Sequence, residues 1–216
     1  TGQLGVCAVS SGVAHDNALT GIANAYFDGA AVLLITGASA GYGARRGALQ
    51  EFDQVALAAP ICKFAALVIR ASDVAFLTGQ AIAAASAGRP GPAHLTVPLD
   101  VLEGDAGAFA GEPARMLPPV ATAGRPALEL LRQAAKLIGH SQQPLLIAGT
   151  GAFQAQAQEE VRELSELTDM PMVTPIWDRG IVERPHPNFL GVVGAASGEP
   201  RLLADADLVV LVGAQV

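Results

Sequence analysis

The chain has only two cysteines in 216 residues, three methionines and one tryptophan; aromatic residues make up 5% and charged residues 15% of it. Two thiols cannot make the disulfide framework of a small secreted domain, and Cys7 and Cys62 sit in apolar strand-like runs far apart in sequence. They read as buried, reduced thiols of a cytoplasmic protein. With so few aromatics there is little for bases to stack on, and a net charge of −7 opposes a phosphate backbone, so nucleic acid is excluded as a partner. No apolar run approaches the roughly 18 residues of a membrane span, and the longest, such as 30–36, are strand-sized. The four histidines, His15, His94, His140 and His186, show no ligand spacing, so no metal site is expected. No charged-then-apolar leader precedes Thr1, and the chain runs from a non-methionine start straight into a strand. Both ends read as cut from something longer.

What is present is a hydrophobic content of 51%, enough for a real core, arranged with alternating periodicities. Short apolar runs at 5–10, 31–36, 61–68 and 93–97 suit strands buried on both faces, with Lys63 turned to water. Between them lie helical stripes. Leu19, Ile22, Ala23 and Tyr26 form one, with Asp16 or Asn17 as its cap. Val74, Leu77, Ala81 and Ala85 form another, with Ser72 as its cap. A glycine-rich loop, 37–47, leads to Gln50 and Glu51 and a short helix near 55–59. Gly88 can take the left-handed conformation that ends a helix, and Pro90 and Pro92 forbid its continuation.

Between 102 and 126 the periodicity dissolves among Gly104, Gly107, Gly111, Pro113, Pro118, Pro119 and Gly124, which marks a linker. The second half restarts at Pro126 with a stripe of Leu128, Leu131, Ala135 and Ile138 that Gly139 ends. Strands at 144–148, 170–174 and 208–212 follow, with a helix bearing Ala157, Val161, Leu164 and Leu167 after Gly149-Thr150-Gly151, a loop through Gly180 and Pro187, and a short helix near 201–204. The expected fold is α/β, two doubly wound parallel-sheet units: 1–102, a linker over 103–125, and 126–216.

Several stretches carry a resemblance. Ser11-Gly12-Val13-Ala14-His15-Asp16-Asn17 resembles the S-G-P-G-x-x-N turn of thiamine-diphosphate enzymes of the acetolactate synthase and benzaldehyde lyase family, with the Pro-Gly pair replaced. Leu49-Gln50-Glu51 resembles their F-Q-E element, and 86–100 resembles the S-G-R-P-G-P-V segment that closes their pyrimidine-binding domain. Met170-Pro171-Met172-Val173-Thr174, His186-Pro187-Asn188-Phe189-Leu190-Gly191 and the 204–214 run resemble successive parts of their central domain.

The resemblance implies the later part of a pyrimidine domain in 1–102 and most of a central, flavin-fold-like domain in 126–216. It implies thiamine diphosphate and Mg2+ as cofactors of the full-length protein. The substrate would be pyruvate or a similar 2-oxo acid, or an aldehyde, and the assembly a homodimer or homotetramer with sites shared between chains. Benzaldehyde-lyase-like chemistry on 2-hydroxy ketones is the alternative, since Asp53-Gln54-Val55-Ala56 resembles that branch. A non-catalytic nucleotide-binding or assembly module is another. The catalytic glutamate is expected before Gly5 and the G-D-G…N metal motif beyond Val216, so the chain alone is expected to be inactive.

The candidate site residues follow from the same resemblance, each beside a plainer reading. Gln50 is the candidate catalytic residue or a solvent-facing amide. Gly12 and Val13 bring backbone against the pyrimidine ring, or Gly12 serves a tight turn. Asn17 contacts cofactor or caps a helix, and Glu51 is a surface or helix-start charge. Arg89 resembles the position that contacts FAD in flavin-containing relatives, or is a surface arginine near a helix C-terminus. FAD itself is disfavoured because Gly194-Ala195-Ala196-Ser197 stands where those relatives carry G-M-H-G. His15 lies in the same turn, either solvated or placed to shuttle protons.

Overall fold

The computed structural model describes residues 3–41, 46–107, 124–176, 180–182, 185–193 and 201–214. The chain divides into two compact units, Thr1–Thr122 and Ala123–Val216. Most of the expected linker and all of Gly194–Ser197 lie outside the described residues.

In the first unit, strands β1 (Gly5–Val9), β2 (Val32–Ala38), β3 (Phe64–Leu67) and β4 (Pro92–Pro98) form one parallel sheet in the order β1-β2-β4-β3. Helices α1 (Val13–Asp28), α2 (Gln54–Ala58), α3 (Val74–Ser86) and the single turn α4 (Leu99–Leu102) connect and flank it. Because β2 and β4 are central, they carry most of the core. β4 is buried along its whole length, whereas β1, at the edge, is largely exposed.

The pleat gives the sheet two unlike faces. Leu33, Ala93, Leu95 and Val97 point to one side, where Ala81 and Ala85 of α3 let the helix lie close. Leu33 and Leu95 are 2% and 1% exposed, and each such side chain contributes about 1.5–3 kcal/mol by burial. On the other face Thr36 stands opposite Thr96, with His94 two residues earlier on β4. That face is polar at its carboxyl end.

The second unit repeats the plan with β5 (Pro144–Ala148), β6 (Met172–Pro175), β7 (Phe189–Val193) and β8 (Leu208–Val212), parallel in the order β7-β6-β5-β8. Its helices are α5 (Leu128–His140), α6 (Thr150–Gln154), α7 (Gln158–Thr168) and α8 (Arg201–Asp205). Leu146, Met170, Met172 and Val161 form the main core cluster. Asp207 fastens the start of β5: its carboxylate accepts from Ser141 Oγ and from the Gln142 and Gln143 amides at 2.7 and 3.0 Å, which holds its pKa below the usual aspartate value.

Several local expectations differ from this structure. Both cysteines are free, but Cys7 is exposed on the edge strand and Cys62 half-buried, where burial raises its thiol to about 11. Helix α1 starts at Val13 with Gly12 as its cap, so Asp16 and Asn17 lie inside the helix. Asp73, not Ser72, precedes α3. Pro126 stands before the first turn of α5, and that helix runs through Gly139 to His140. None of its residues is buried, and Leu128 and Leu131 remain 61% and 50% exposed. The helix expected after Gly151 is two short ones, and β7 falls where a loop was expected. Lys63 is exposed, yet its ammonium donates to the Ala87 carbonyl and, at 2.8 Å, to that of Arg89.

Candidate functional site

The carboxyl ends of all four strands of the first unit open on one cleft of about 760 Å³. Ser11 follows β1, Ala38, Ser39 and Gly41 end and follow β2, Leu67 ends β3, and Thr96 and Pro98 end β4. The segment from Gly47 to Val55 closes one side. In open α/β sheets, ligands bind in this place, outside the carboxyl ends of the strands.

Gln50, which lines the cleft, is backed by one tight turn at Gly12. Gly12 has φ +62°, and a Cβ built on it would lie 2.3 Å from Gln50 Cβ and 3.0 Å from the Gln50 carbonyl oxygen. Only glycine permits that approach. Gln50 itself holds φ +57°, an uncommon conformation for a residue with a side chain, and it lines the cleft. The structure therefore brings Gly12 and Gln50 together. Val13, 53% exposed, and Asn17, also exposed, lie on the first turns of α1. Asp100 accepts from the Gly41 amide at 3.0 Å and holds the opposite rim.

Beneath the wall lies a buried polar network whose hub is Gln54, 4% exposed. Asp53 caps α2 by accepting from the Ala56 amide at 2.9 Å, and this directs Gln54 at the sheet. Gln54 Oε1 accepts the Gly12 N–H at 2.8 Å. Its Nε2 donates to Thr36 Oγ1 at 3.0 Å and to the Gly37 carbonyl at 2.9 Å, with Thr96 Oγ1 at 3.5 Å. One side chain thus ties together the exits of β1, β2 and β4. Thr36 Oγ1 in turn lies 2.9 Å from His94 Nε2, and Thr96 Oγ1 lies 3.3 Å from it.

Two imidazoles sit together under this layer. His15 and His94 have no exposed surface, and their ring centroids are 5.0 Å apart; Phe52 lies tilted against His15, ring centroids 6.0 Å apart. Among the described residues, neither nitrogen of His15 makes a hydrogen bond, nor does His94 Nδ1. Asp16 Oδ1 is 3.5 Å from His15 Nδ1, close enough to attract but without hydrogen-bond geometry. Burial lowers the His94 pKa to about 4, helped by the neighbouring His15. Burial also lowers that of His15, against the opposite pull of Asp16. Both rings are neutral at pH 7.

Of the remaining sequence candidates, Glu51 borders the cleft and the others lie away from it. Arg89 Nη1 and Nη2 donate to the Tyr26 and Phe27 carbonyls at 2.8 and 2.6 Å, closing the C-terminus of α1. Sixteen residues of helix separate that end from Gly12, a rise of about 24 Å. Glu51 lines the cleft and accepts from the Ala48 amide at 3.1 Å. In the second unit, the Gly149-Thr150-Gly151 turn is explained by β8. The Gly151 amide donates to the Gly213 carbonyl at 2.9 Å, and a Cβ on Gly151 would lie 2.9 Å from Gly213 Cα. His186 accepts the Asn188 N–H on Nδ1 at 3.2 Å, so its Nε2–H faces Glu166 at 3.1 Å and clips the loop before β7 to α7.

Sequence reasoning missed Gln54 as a site residue and left His15 open. The missed signal for Gln54 is its place directly after the capping Asp53. For His15 it is the capping of α1 by Gly12, which turns position 15 inward. Among the described residues no three His, Cys, Asp or Glu side chains gather as metal ligands, and no helix is long and apolar enough to cross a membrane.

Comparison with known proteins places both units. Residues 1–57 match the thiamine pyrophosphate enzyme N-terminal TPP binding domain, and residues 131–216 match the thiamine pyrophosphate enzyme central domain. An acetolactate synthase of Mycobacterium bovis is 36% identical over 194 residues, which cover 90% of this chain and 31% of that protein. The acetolactate synthase large subunit of Corynebacterium glutamicum is 31% identical over 217 residues, covering 100% of this chain and 34% of its own length. The chain thus spans about a third of these relatives. An X-ray structure from Mycobacterium smegmatis, assigned as a thiamin diphosphate-dependent enzyme, superposes with a TM-score of 0.82 at 25% identity, over 100% of this chain and 41% of the other. With two domain models matched in order and the fold shared throughout, the chain belongs to the thiamine pyrophosphate enzymes.

Proposed function

We propose that this chain supplies the pyrimidine-facing domain (1–102) and the central domain (126–216) of a thiamine-diphosphate-dependent carboligase or decarboxylase. Its substrate is pyruvate or a similar 2-oxo acid, as in acetolactate synthase. The observation that carries the reading is the cleft at the carboxyl ends of β1–β4, lined by Gln50, with the buried Gly12 packed against Gln50. Support comes from the names of the relatives and from a lining that mixes apolar Phe52, Val55, Leu67 and Pro98 with polar Ser11, Gln50 and Thr96. Such a lining suits a small heteroaromatic ring with a few hydrogen-bonding positions.

When bound, thiamine diphosphate supplies the electron sink for breaking a bond beside a carbonyl. The residues of this chain do the binding and orienting. Phe52, Val55, Leu67 and Pro98 exclude water from the ring, Gln54 fixes the Gly12 turn against which it rests, and Gln50 offers an uncharged amide to a substrate carbonyl. The diphosphate and its Mg2+ are assigned to the portion of such enzymes that this chain does not span. The assembly is a homodimer or homotetramer, with the cleft facing a neighbouring subunit.

A second reading is cleavage and ligation of 2-hydroxy ketones in the manner of benzaldehyde lyase. It is favoured by one observation, the hub position of Gln54 within the Asp53-Gln54-Val55-Ala56 stretch. Assay of a protein carrying this chain with the remaining parts of the family separates the two. Release of CO2 from pyruvate supports the first, and benzaldehyde from benzoin supports the second. Neither product would overturn both.

A further inference from the structure

The polar layer below the cleft has a direction, and it can be worked out from the inventory of donors and acceptors. His94 Nδ1 is buried with no partner among the described residues. A buried N–H without an acceptor costs more than an unused lone pair, so the proton of the neutral ring belongs on Nε2. That N–H has two oxygens in reach, Thr36 Oγ1 at 2.9 Å and Thr96 Oγ1 at 3.3 Å. Gln54 Nε2 is a donor by chemistry and also reaches Thr36 Oγ1, at 3.0 Å. The Thr36 oxygen therefore accepts from both His94 and Gln54, which fills its lone pairs. Its own hydrogen has one oxygen to go to, Thr96 Oγ1 at 3.5 Å.

Thr96 stands at the end of this sequence. Among the described residues its polar neighbours leave it no free acceptor: the Thr36 hydroxyl at 3.5 Å points its hydrogen at Thr96, and Gln54 Nε2 at 3.5 Å and His94 Nε2 at 3.3 Å are donor atoms whose hydrogens go chiefly to Thr36 and Gly37. Its own hydroxyl hydrogen has no acceptor there, yet Thr96 lines the cleft. We infer that Thr96 is a specificity-determining residue whose hydroxyl, oriented by the tautomer of His94 and by Gln54, donates into the cleft to a carbonyl or carboxylate oxygen of the ligand. The inference rests on the 2-oxo-acid reading above and names the group that meets the acceptor oxygen. His94 touches nothing in the cleft itself; it is a positioning residue acting through Thr96.

Two measurements test this. The first needs no ligand: long-range 1H–15N correlation spectra of the labelled chain at pH 7, with the His94 signals assigned by their loss in His94→Leu. An Nε2–H tautomer is expected, and an Nδ1–H tautomer overturns the inference whatever the kinetics. The second uses the enzyme that carries this chain. Thr96→Ser keeps the donor and keeps the KM for pyruvate, while Thr96→Val raises KM roughly tenfold, the loss of one hydrogen bond, with kcat little changed. A Thr96→Val enzyme with a KM within twofold of the wild type overturns the inference. An enzyme that turns over no 2-oxo acid overturns the function proposed above and with it the role of Thr96 toward that substrate. The tautomer spectrum distinguishes that failure from a wrong direction of the hydrogen-bond chain.

Discussion

Acid should unfold the first unit of this protein through His94. The imidazole is fully buried, and burial lowers its pKa from 6.5 to about 4. In the unfolded chain the ring takes a proton near 6.5, so the unfolded state binds more protons wherever the pH lies between the two values. The stability held at neutral pH is therefore intact above 6.5 and is lost as pH falls through the window toward 4. Linkage gives a loss of about 2 kcal/mol at pH 5 and about 3 at pH 4, levelling off below. That is a large share of the roughly 5–15 kcal/mol typical of a folded domain. His15 is shifted in the same direction and adds to the effect. Urea titrations at pH 7, 6, 5 and 4, followed by amide signals of β2 and β4, measure it directly. His94→Leu removes the titrating ring while keeping an apolar fill, so its stability curve should be flatter over the same window, with His15 accounting for what slope remains. Equal pH slopes for the wild type and His94→Leu would refute the reasoning.

Other expectations are equally direct. Gly12→Ala places a Cβ 2.3 Å from Gln50 Cβ at φ +62°, and should cost about 2 kcal/mol in thermal melts; adding Gln50→Gly should recover part of it. Arg89→Ala removes two hydrogen bonds from the end of α1, so amide exchange at Gly29 and Ala30 should speed up severalfold while that of Gly12 does not change. Asp207→Asn weakens an acceptor that holds three donors at the start of β5. The second unit should melt lower at pH 7, and the gap from wild type should close as pH falls below the ordinary aspartate range, since the lowered pKa means that this stability is present only while the carboxylate is ionised.

The sheet framework was legible in the sequence because buried parallel strands leave dense aliphatic runs. The expected bounds of β5 and β8 match the structure, and β4 extends the expected run by one residue at each end. The exceptions have local causes. β7 follows Pro187 and contains Gly191 at φ +115°, so its run Phe189–Val193 lacked a clean alternation. In α5 the apolar spacing was visible, but spacing says only where a stripe lies, and Leu128 and Leu131 stay exposed. The site was half legible. The juxtaposition of Gly12 and Gln50 follows two stretches that the sequence already singled out. The layer beneath did not stand out, because it depends on register. Thr36 faces Thr96 only through the pairing of β2 with β4, and His15 turns inward only because Gly12, instead of Asp16 or Asn17, caps the helix.

The central claim is that the cleft at the ends of β1–β4 receives the ring of thiamine diphosphate. A crystal structure of the complete enzyme containing this chain, grown with thiamine diphosphate and Mg2+, tests it most directly. The account predicts the ring within van der Waals distance of Gln50 and the Gly12 turn, above the Thr96 hydroxyl. A ring bound elsewhere, with this cleft filled by the protein's own side chains, would contradict it.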